Sequence, residues 1–453
     1  MLNLADRRSV KASEAGLRRV DLARRRMGWS KTRSKVWWLE ANVSQATLRR
    51  FWKQPISLDA FIAICNAVGI KDWQSIVELD YPDLEDGPED QPDSRPEAPR
   101  LLDLQELAPQ EPSPPAILGE YPEGRVPVAS DFYVERAPIE ARCYDAILRP
   151  GALIRIKSPR QMGKTSLLYR ICDRAEQQQY QVVRLNLSKA DAAVLGNLDR
   201  LLRWFCAGIS LGLKLDSQPK DLWDADRGSI VNCTTYVQSQ VLESIQTPFV
   251  LALDEVDWLF NVPEVSQGFF SMLRSWHEEA KTIEAWEKLR LIVVHSTEDY
   301  GRLDLNQSPF NVGLPVELPE FSPQQVEDLL KRYHLDWHQN WVQRLMATVG
   351  GHPFLVRLAI DELSWQRITL TQLLQDAPTN AGIYTDHLQR HLKKLQERPK
   401  LGQAMQQVAS QPEPQQIDTM LAYKLYSMGL VRKVGDRVSP RCRLYQEYFQ
   451  TRL

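Results

Sequence analysis

The chain has 453 residues, 43% of them hydrophobic and 25% charged, with a formal net charge of −2. That is the composition of a soluble globular protein, and the length suggests about three domains of roughly 150 residues. Bulk charge excludes a general polyanion binder, and no run approaches the roughly 18 apolar residues of a membrane span. Six cysteines are scattered without CxxC or Cys/His spacing, so neither a zinc site nor a disulfide framework is implied. The N-terminus lacks the apolar stretch of a signal peptide. The expected location is the cytoplasm, with the cysteines used for packing.

Residues 1–80 are rich in Arg and Lys, with clusters at Arg24-Arg25-Arg26 and at Lys31, Arg33 and Lys35. Four short helices are expected, at Gly16–Trp29, Lys35–Ala41, Ser44–Trp52 and Asp59–Val68, making an all-α module. Ala41 to Arg50 resembles the turn and second helix of a phage-repressor-type helix-turn-helix, with Ser44 a suitable N-cap. If this segment reads DNA, Gln45, Ala46 and Arg49 would face base edges, and Arg50 and Lys53 would meet phosphates. An adaptor module docking a partner protein fits the same residues. On that reading Trp37, Trp38, Phe51, Trp52 and Phe61 form its core or its docking face.

Residues 81–120 are acidic and proline-rich, with Arg95 and Arg100 as their only basic side chains. Like charge and proline both oppose a packed core, so an extended linker is expected. From 121 to 320, strand-like and helical runs alternate, the pattern of a parallel sheet covered by helices. Strands are expected at Ala152–Lys157, Gln181–Leu187, Phe249–Leu253, Leu289–Val294 and Val312–Leu318. Helices are expected at 164–176, 192–213 and 229–245. Periodicity does not give the strand order. Residues 321–453 read as mainly helical, taken as a stretch 321–400 and a last segment 401–453. In that last segment a helix, a hairpin turning at Gly435-Asp436 and a final helix follow one another.

The sharpest local signal is Ser158-Pro159-Arg160-Gln161-Met162-Gly163-Lys164-Thr165, followed by Ser166. It lies between an expected strand and an expected helix, the context a phosphate-binding loop needs. Gly163 lets the backbone approach an anion, Lys164 reaches β- and γ-phosphate oxygens, and Thr165 offers a hydroxyl to Mg²⁺. The free N–H groups of the helix start point at the same place. Ser158 stands where such loops usually carry glycine. About 90 residues downstream, the apolar run Phe249–Leu253 ends in Asp254-Glu255. Asp254 would hold Mg²⁺ through water and Glu255 would orient the attacking water, a set sufficient for phosphoryl transfer. Asp257 is expected to face solvent. The next strand ends in His295-Ser296-Thr297-Glu298, where Ser296 or Thr297 could touch the γ-phosphate and His295 fits a structural role.

Phe132-Tyr133-Val134-Glu135-Arg136, the phosphate loop, Leu253-Asp-Glu-Val-Asp257, His295-Ser-Thr-Glu298, Asn306–Gly313 and Gly350-Gly-His-Pro-Phe-Leu355 together resemble the AAA-like domain proteins common in cyanobacteria, related to STAND and AAA+ ATPases. The resemblance covers about residues 120–453. It implies an ASCE-type α/β P-loop fold, a helical lid and a C-terminal winged helix. It implies Lys164, Glu255 and Asp254 as catalytic residues and Thr165 and Asp254 as Mg²⁺ ligands; Thr297 joins the catalytic set from its place at the strand tip. Ser158 to Ser166 would hold phosphate, Tyr133 to Arg136 would lie near adenine and ribose, with Tyr133 and Val134 as the named contacts, and Pro353 resembles the proline of a GxP turn that packs on adenine. The cofactors implied are ATP or ADP with Mg²⁺. Expected partners are the nucleotide, a second copy of the chain on ATP binding, and DNA or an adaptor protein at the N-terminal module, with no membrane. The function so read is a nucleotide-switched ATPase. The alternative is a DNA-binding regulator whose nucleotide site is structural or slow.

Overall fold

The computed structural model describes residues 9–27, 29, 37, 41, 43, 45–52, 56–68, 70, 73–76, 122, 124–297, 309–335, 339–365 and 368–453. The acidic segment 81–120, Ser44, Lys53 and Glu298 lie outside them. The chain divides into two compact units, 1–108 and 109–453.

In the first unit, helices α1 (Glu14–Arg26), α2 (Gln45–Phe51) and α3 (Leu58–Ala67) match three of the four expected helices. The fourth lies largely outside the described residues. The unit is not purely helical: β1 (Ser9–Val10) pairs antiparallel with β2 (Ile56–Ser57). A two-residue ladder carries too little alternation to be read from sequence. The aromatic set is core: Trp37, Phe51 and Phe61 are buried, and Trp52 packs against them from a half-buried position. Trp38 lies outside the described residues.

In the second unit, five parallel strands form one sheet: β3 (Leu153–Ser158), β4 (Gln181–Asn186), β5 (Phe249–Asp254), β6 (Leu289–Ser296) and β7 (Leu314–Glu317). Their order is β4-β5-β6-β3-β7. Every residue of β5 and β6 is buried, as central parallel strands with helices on both faces require. Side chains alternate between two cores. Val250, Ala252, Ile292 and Val294 pack with α4 (Ile139–Ile147) and α5 (Lys164–Gln177). Leu251, Leu253, Leu291 and Val293 pack with α6 (Leu198–Leu213), α7 (Ser229–Tyr236) and α8 (Pro263–Glu279). The expected helix 192–213 is broken after Leu195, and Asn197 caps its second part by accepting from the Arg200 N–H. The expected helix 229–245 passes into a π-helical turn at Val237–Leu242. All six cysteines are buried.

The rest of the unit is helical: α9 (Pro323–Arg332), α10 (Gln339–Val349), α11 (Pro353–Ser364), α12 (Leu370–Asp376), α13 (Thr385–Gln396), α14 (Pro399–Ala409) and α15 (Thr419–Ser427). A hairpin of β8 (Val431–Val434) and β9 (Arg437–Pro440) and helix α16 (Arg443–Arg452) complete it. These elements share one core, which also takes Phe132 and Val134 from the segment before the sheet. No helix among the described residues is long and apolar enough to cross a membrane.

Candidate nucleotide site

Helix α5 carries the chain from β3 across β6 and β5 to the far edge strand β4. The strand order reverses beside β3, the place where sheets of this kind form a crevice at the C-terminal ends of their strands. Ser158 ends β3 and Lys164 begins α5, so residues 158–164 form the loop at that end of the sheet. Two residues of the loop are left-handed: Gln161 with φ 62° and Gly163 with φ 93°. Glycine adopts such an angle without strain. At Gly163 a Cβ would also lie 3.3 Å from the Arg136 guanidinium.

The Lys164 ammonium donates to the Ser158 and Pro159 carbonyls, at 3.0 and 2.8 Å. The Thr165 hydroxyl donates to Asp254 Oδ2 at 2.9 Å, bridging 89 residues of sequence. The other oxygen of Asp254 accepts the Glu255 N–H at 2.9 Å. Burial pushes the Asp254 carboxyl above its usual range; the Thr165 bond opposes this and the Glu255 charge adds to it. Glu255 is itself exposed and left-handed, with φ 55°. The loop, Asp254 and Glu255 therefore meet at one end of the sheet.

Asp257 is not the solvent-facing residue its sequence position suggests. It is half-buried, and its carboxylate accepts the Ser296 N–H at 2.9 Å, tying the turn after β5 to the tip of β6. Burial pushes its pKa up, against that bond and the nearby Lys164 and Arg160 charges. Thr297 is buried, and its hydroxyl donates to the Ser427 carbonyl at the end of α15, at 2.6 Å. That side chain, expected to face phosphate, here links the tip of β6 to the C-terminal elements. His295 is structural: it is buried against Phe260 and Phe310, and burial lowers its pKa to about 3.

A strap before the sheet lies along α5. The Val126 N–H donates to the Ser166 hydroxyl at 2.9 Å, which turns that hydroxyl to the strap. The Arg170 guanidinium donates to the Pro127 carbonyl at 2.8 Å and stacks over the Tyr133 ring at 3.6 Å. Tyr133 gives its hydroxyl proton to Glu140 at 2.8 Å, and Val134 is buried beside it. Arg136, 3% exposed, donates from Nη1 to the Met162 carbonyl at 2.7 Å, while its own N–H is held by Glu140. Arg136 thus fixes the phosphate loop from behind, a role the sequence motif did not reveal. From the other side, α9 donates through Gln325 to the Glu135 carbonyl and through Arg332 to the Asp131 and Tyr133 carbonyls. A cavity of about 790 Å³ opens between strap and α9, lined among others by Tyr133, Val134, Glu135, Gln325 and Arg332.

The turn Gly350-Gly351-His352 leads into α11 with buried Pro353 at its first position. It is pinned where the Phe321 N–H donates to the Gly351 carbonyl at 2.7 Å. The Phe321 ring in turn lies 5.8 Å from the Arg136 guanidinium. Of the nucleic-acid candidates, Arg50 is exposed on α2, while Lys53 and the side chains of Gln45 and Arg49 lie outside the described residues.

Thr165 and Asp254 present hard oxygen donors, which fit Mg²⁺; that ion takes one or two protein oxygens and completes its shell with water and phosphate.

No curated protein matches the sequence. Among solved structures, a Walker-type ATPase of Pyrococcus abyssi superposes with a TM-score of 0.51 at 14% identity, over 70% of this chain and 96% of that one. The ORC2 protein of Aeropyrum pernix gives 0.41 at 15% identity, over 71% and 96%. A STAND protein with a tetratricopeptide-repeat sensor from Pyrococcus horikoshii gives 0.35 at 13%, over 73% and 44%. The first of these supports a P-loop ATPase fold. The sequence model of the AAA-like domain matches residues 121–451, nearly the whole second unit, and the chain belongs to that AAA-like domain family.

Proposed function

We propose that this protein binds ATP with Mg²⁺ at the β3–α5 loop, hydrolyses it slowly, and uses the nucleotide state to set the position of its C-terminal elements, as a switch of the STAND/AAA+ kind. The Thr165–Asp254 hydrogen bond carries this reading, because it joins the phosphate loop to the acidic strand tip. The loop N–H groups and Lys164 take the β- and γ-phosphates. Thr165 and Asp254 hold the metal, which neutralises charge on the phosphate oxygens. Glu255, exposed at the mouth, orients water. Thr297 and Pro353 connect the site to the C-terminal elements, which we take as lid and winged helix. The base and ribose lie along Tyr133 and Val134, beside the 790 Å³ cavity.

Lys164→Ala should abolish ATP binding in a fluorescence titration of the full chain. Glu255→Gln should bind ATP normally yet lose at least about ten-fold in turnover, since positioning of water is its only task. Unchanged binding by Lys164→Ala would remove the site.

A second reading, a DNA-binding regulator with a structural or slow nucleotide site, draws on exposed Arg50 within the Arg- and Lys-rich residues 1–80. It requires the full chain to shift duplex DNA at low salt, with affinity falling steeply as salt rises.

A further inference from the structure

Gln161 sits at the centre of the phosphate loop with a φ of 62°, a left-handed angle that a non-glycine residue keeps only when its surroundings impose it. What imposes it comes from 226 residues downstream. His387 Nδ1 on α13 lies 2.7 Å from Gln161 Oε1, and Arg390 of the same helix donates to that oxygen at 3.2 Å. Because Gln161 presents an acceptor, His387 carries its proton on Nδ1. Its Nε2 then accepts from the Tyr445 hydroxyl on α16, at 2.7 Å. The Tyr445 ring also stacks on His387, 11° from coplanar. Both rings are buried, so this chain of bonds has no water to replace a lost partner. One residue pair further along, the backbone after α15 closes on the same loop. Gly429 has a φ of 76°, and a Cβ there would stand 3.0 Å from the Pro159 ring, so a side chain would be both strained and tightly packed against the loop.

We infer that His387 is a positioning residue of the nucleotide site: oriented by Tyr445, it holds Gln161 so that the phosphate loop keeps its anion-binding shape only while α13 and α16 are docked. This rests on the nucleotide reading given above and adds to it the residues through which loop and C-terminal helices sense one another. A left-handed residue beside right-handed neighbours is what turns consecutive N–H groups toward one point. Releasing Gln161 scatters them. By reciprocity, a phosphate that needs the ordered loop favours the docked helices.

The test is an epistasis measurement on the full chain. Tyr445→Phe keeps the ring but removes the proton that fixes the His387 tautomer. It should weaken ADP binding about five-fold, the usual effect of one buried hydrogen bond. Gln161→Gly takes away the handle while tolerating the left-handed angle. In that background Tyr445→Phe should change ADP affinity by less than about 1.5-fold. Equal effects of Tyr445→Phe in both backgrounds, or none in the parent, overturn the inference. A second readout needs no nucleotide: Tyr445→Phe should speed hydrogen exchange at amides 160–163 in the parent and not in Gln161→Gly. Should the parent bind no ADP while this exchange effect is present, the nucleotide reading falls and the His387 linkage stands. Should the exchange be unmoved, the linkage falls whatever ADP does.

Discussion

Arg136 shows how much of the candidate site depends on a residue that holds the loop from behind. Its guanidinium is buried, bonded to the Met162 carbonyl, and packed beside Glu140 and the Phe321 ring. Arg136→Ala would leave the Glu140 carboxylate buried without its cation and free the loop at Met162. A loss of about 3 kcal/mol of stability is expected, measured as a lowered urea midpoint, with weakened ADP binding. The buried histidines make a second prediction. His295 and His352 fall to about 3 through burial, and His387 is likewise held well below the usual histidine value. In the unfolded chain all three titrate near 6.5. Below that pH the unfolded chain takes up protons that the folded one refuses. Stability is therefore full above pH 6.5 and lost as pH falls toward 3, by up to about 1.4 kcal/mol per histidine per pH unit. Urea midpoints at pH 7.5 and 5.5 measure the slope, and His295→Phe should reduce it by one proton. A slope unchanged by that substitution would assign the acid sensitivity elsewhere.

Among the elements, the turn before α11 is the most sensitive. A Cβ at Gly351 would stand 2.1 Å from the Phe321 carbonyl oxygen, closer than any atoms pack. Gly351→Ala should cost more than about 2 kcal/mol in unfolding and loosen α11 within the C-terminal core. The same scale explains what could be read before the fold was seen. Strands β3 to β6 stand out because their apolar runs have the length and flanks of buried parallel strands. The loop and the Asp254-Glu255 tip stand out because each is compact in sequence. Their meeting depends on β6 lying between β3 and β5, which no local pattern encodes. The break at Gly196-Asn197 and the π-turn after Tyr236 were hidden because apolar spacing runs through both. Asp257 misled because a carboxylate after a strand looks the same whether its partner is water or the Ser296 amide. Arg136 and Gln161 were named in the sequence, but what they hold was not legible, because their partners, Met162 and His387, are defined only by tertiary contact.

For the whole molecule, the candidate nucleotide site and the C-terminal elements belong to one unit that shares contacts at Thr297, Pro159 and Gln161. Nucleotide should therefore slow hydrogen exchange in α13 and α16 as well as in the loop. Protection confined to 158–166 would show the two ends to be energetically separate. Size measurements with ADP and with a non-hydrolysable ATP analogue test whether the second state also gathers copies of the chain.

The strap has a practical consequence for dividing this protein. The sheet begins at Leu153 and its first covering helix at Ile139, so a cut near 138 looks harmless on secondary structure alone. Such a cut would strip Val126 from Ser166, Pro127 from Arg170 and Phe132 from Tyr333. It would bare one flank of the helix that starts at Lys164. A shortened chain starting at 121 keeps every one of those bonds and should melt with the parent, whereas one starting at 138 should aggregate on heating. The AAA-like unit thus starts well ahead of its first strand, in a stretch with almost no regular structure of its own.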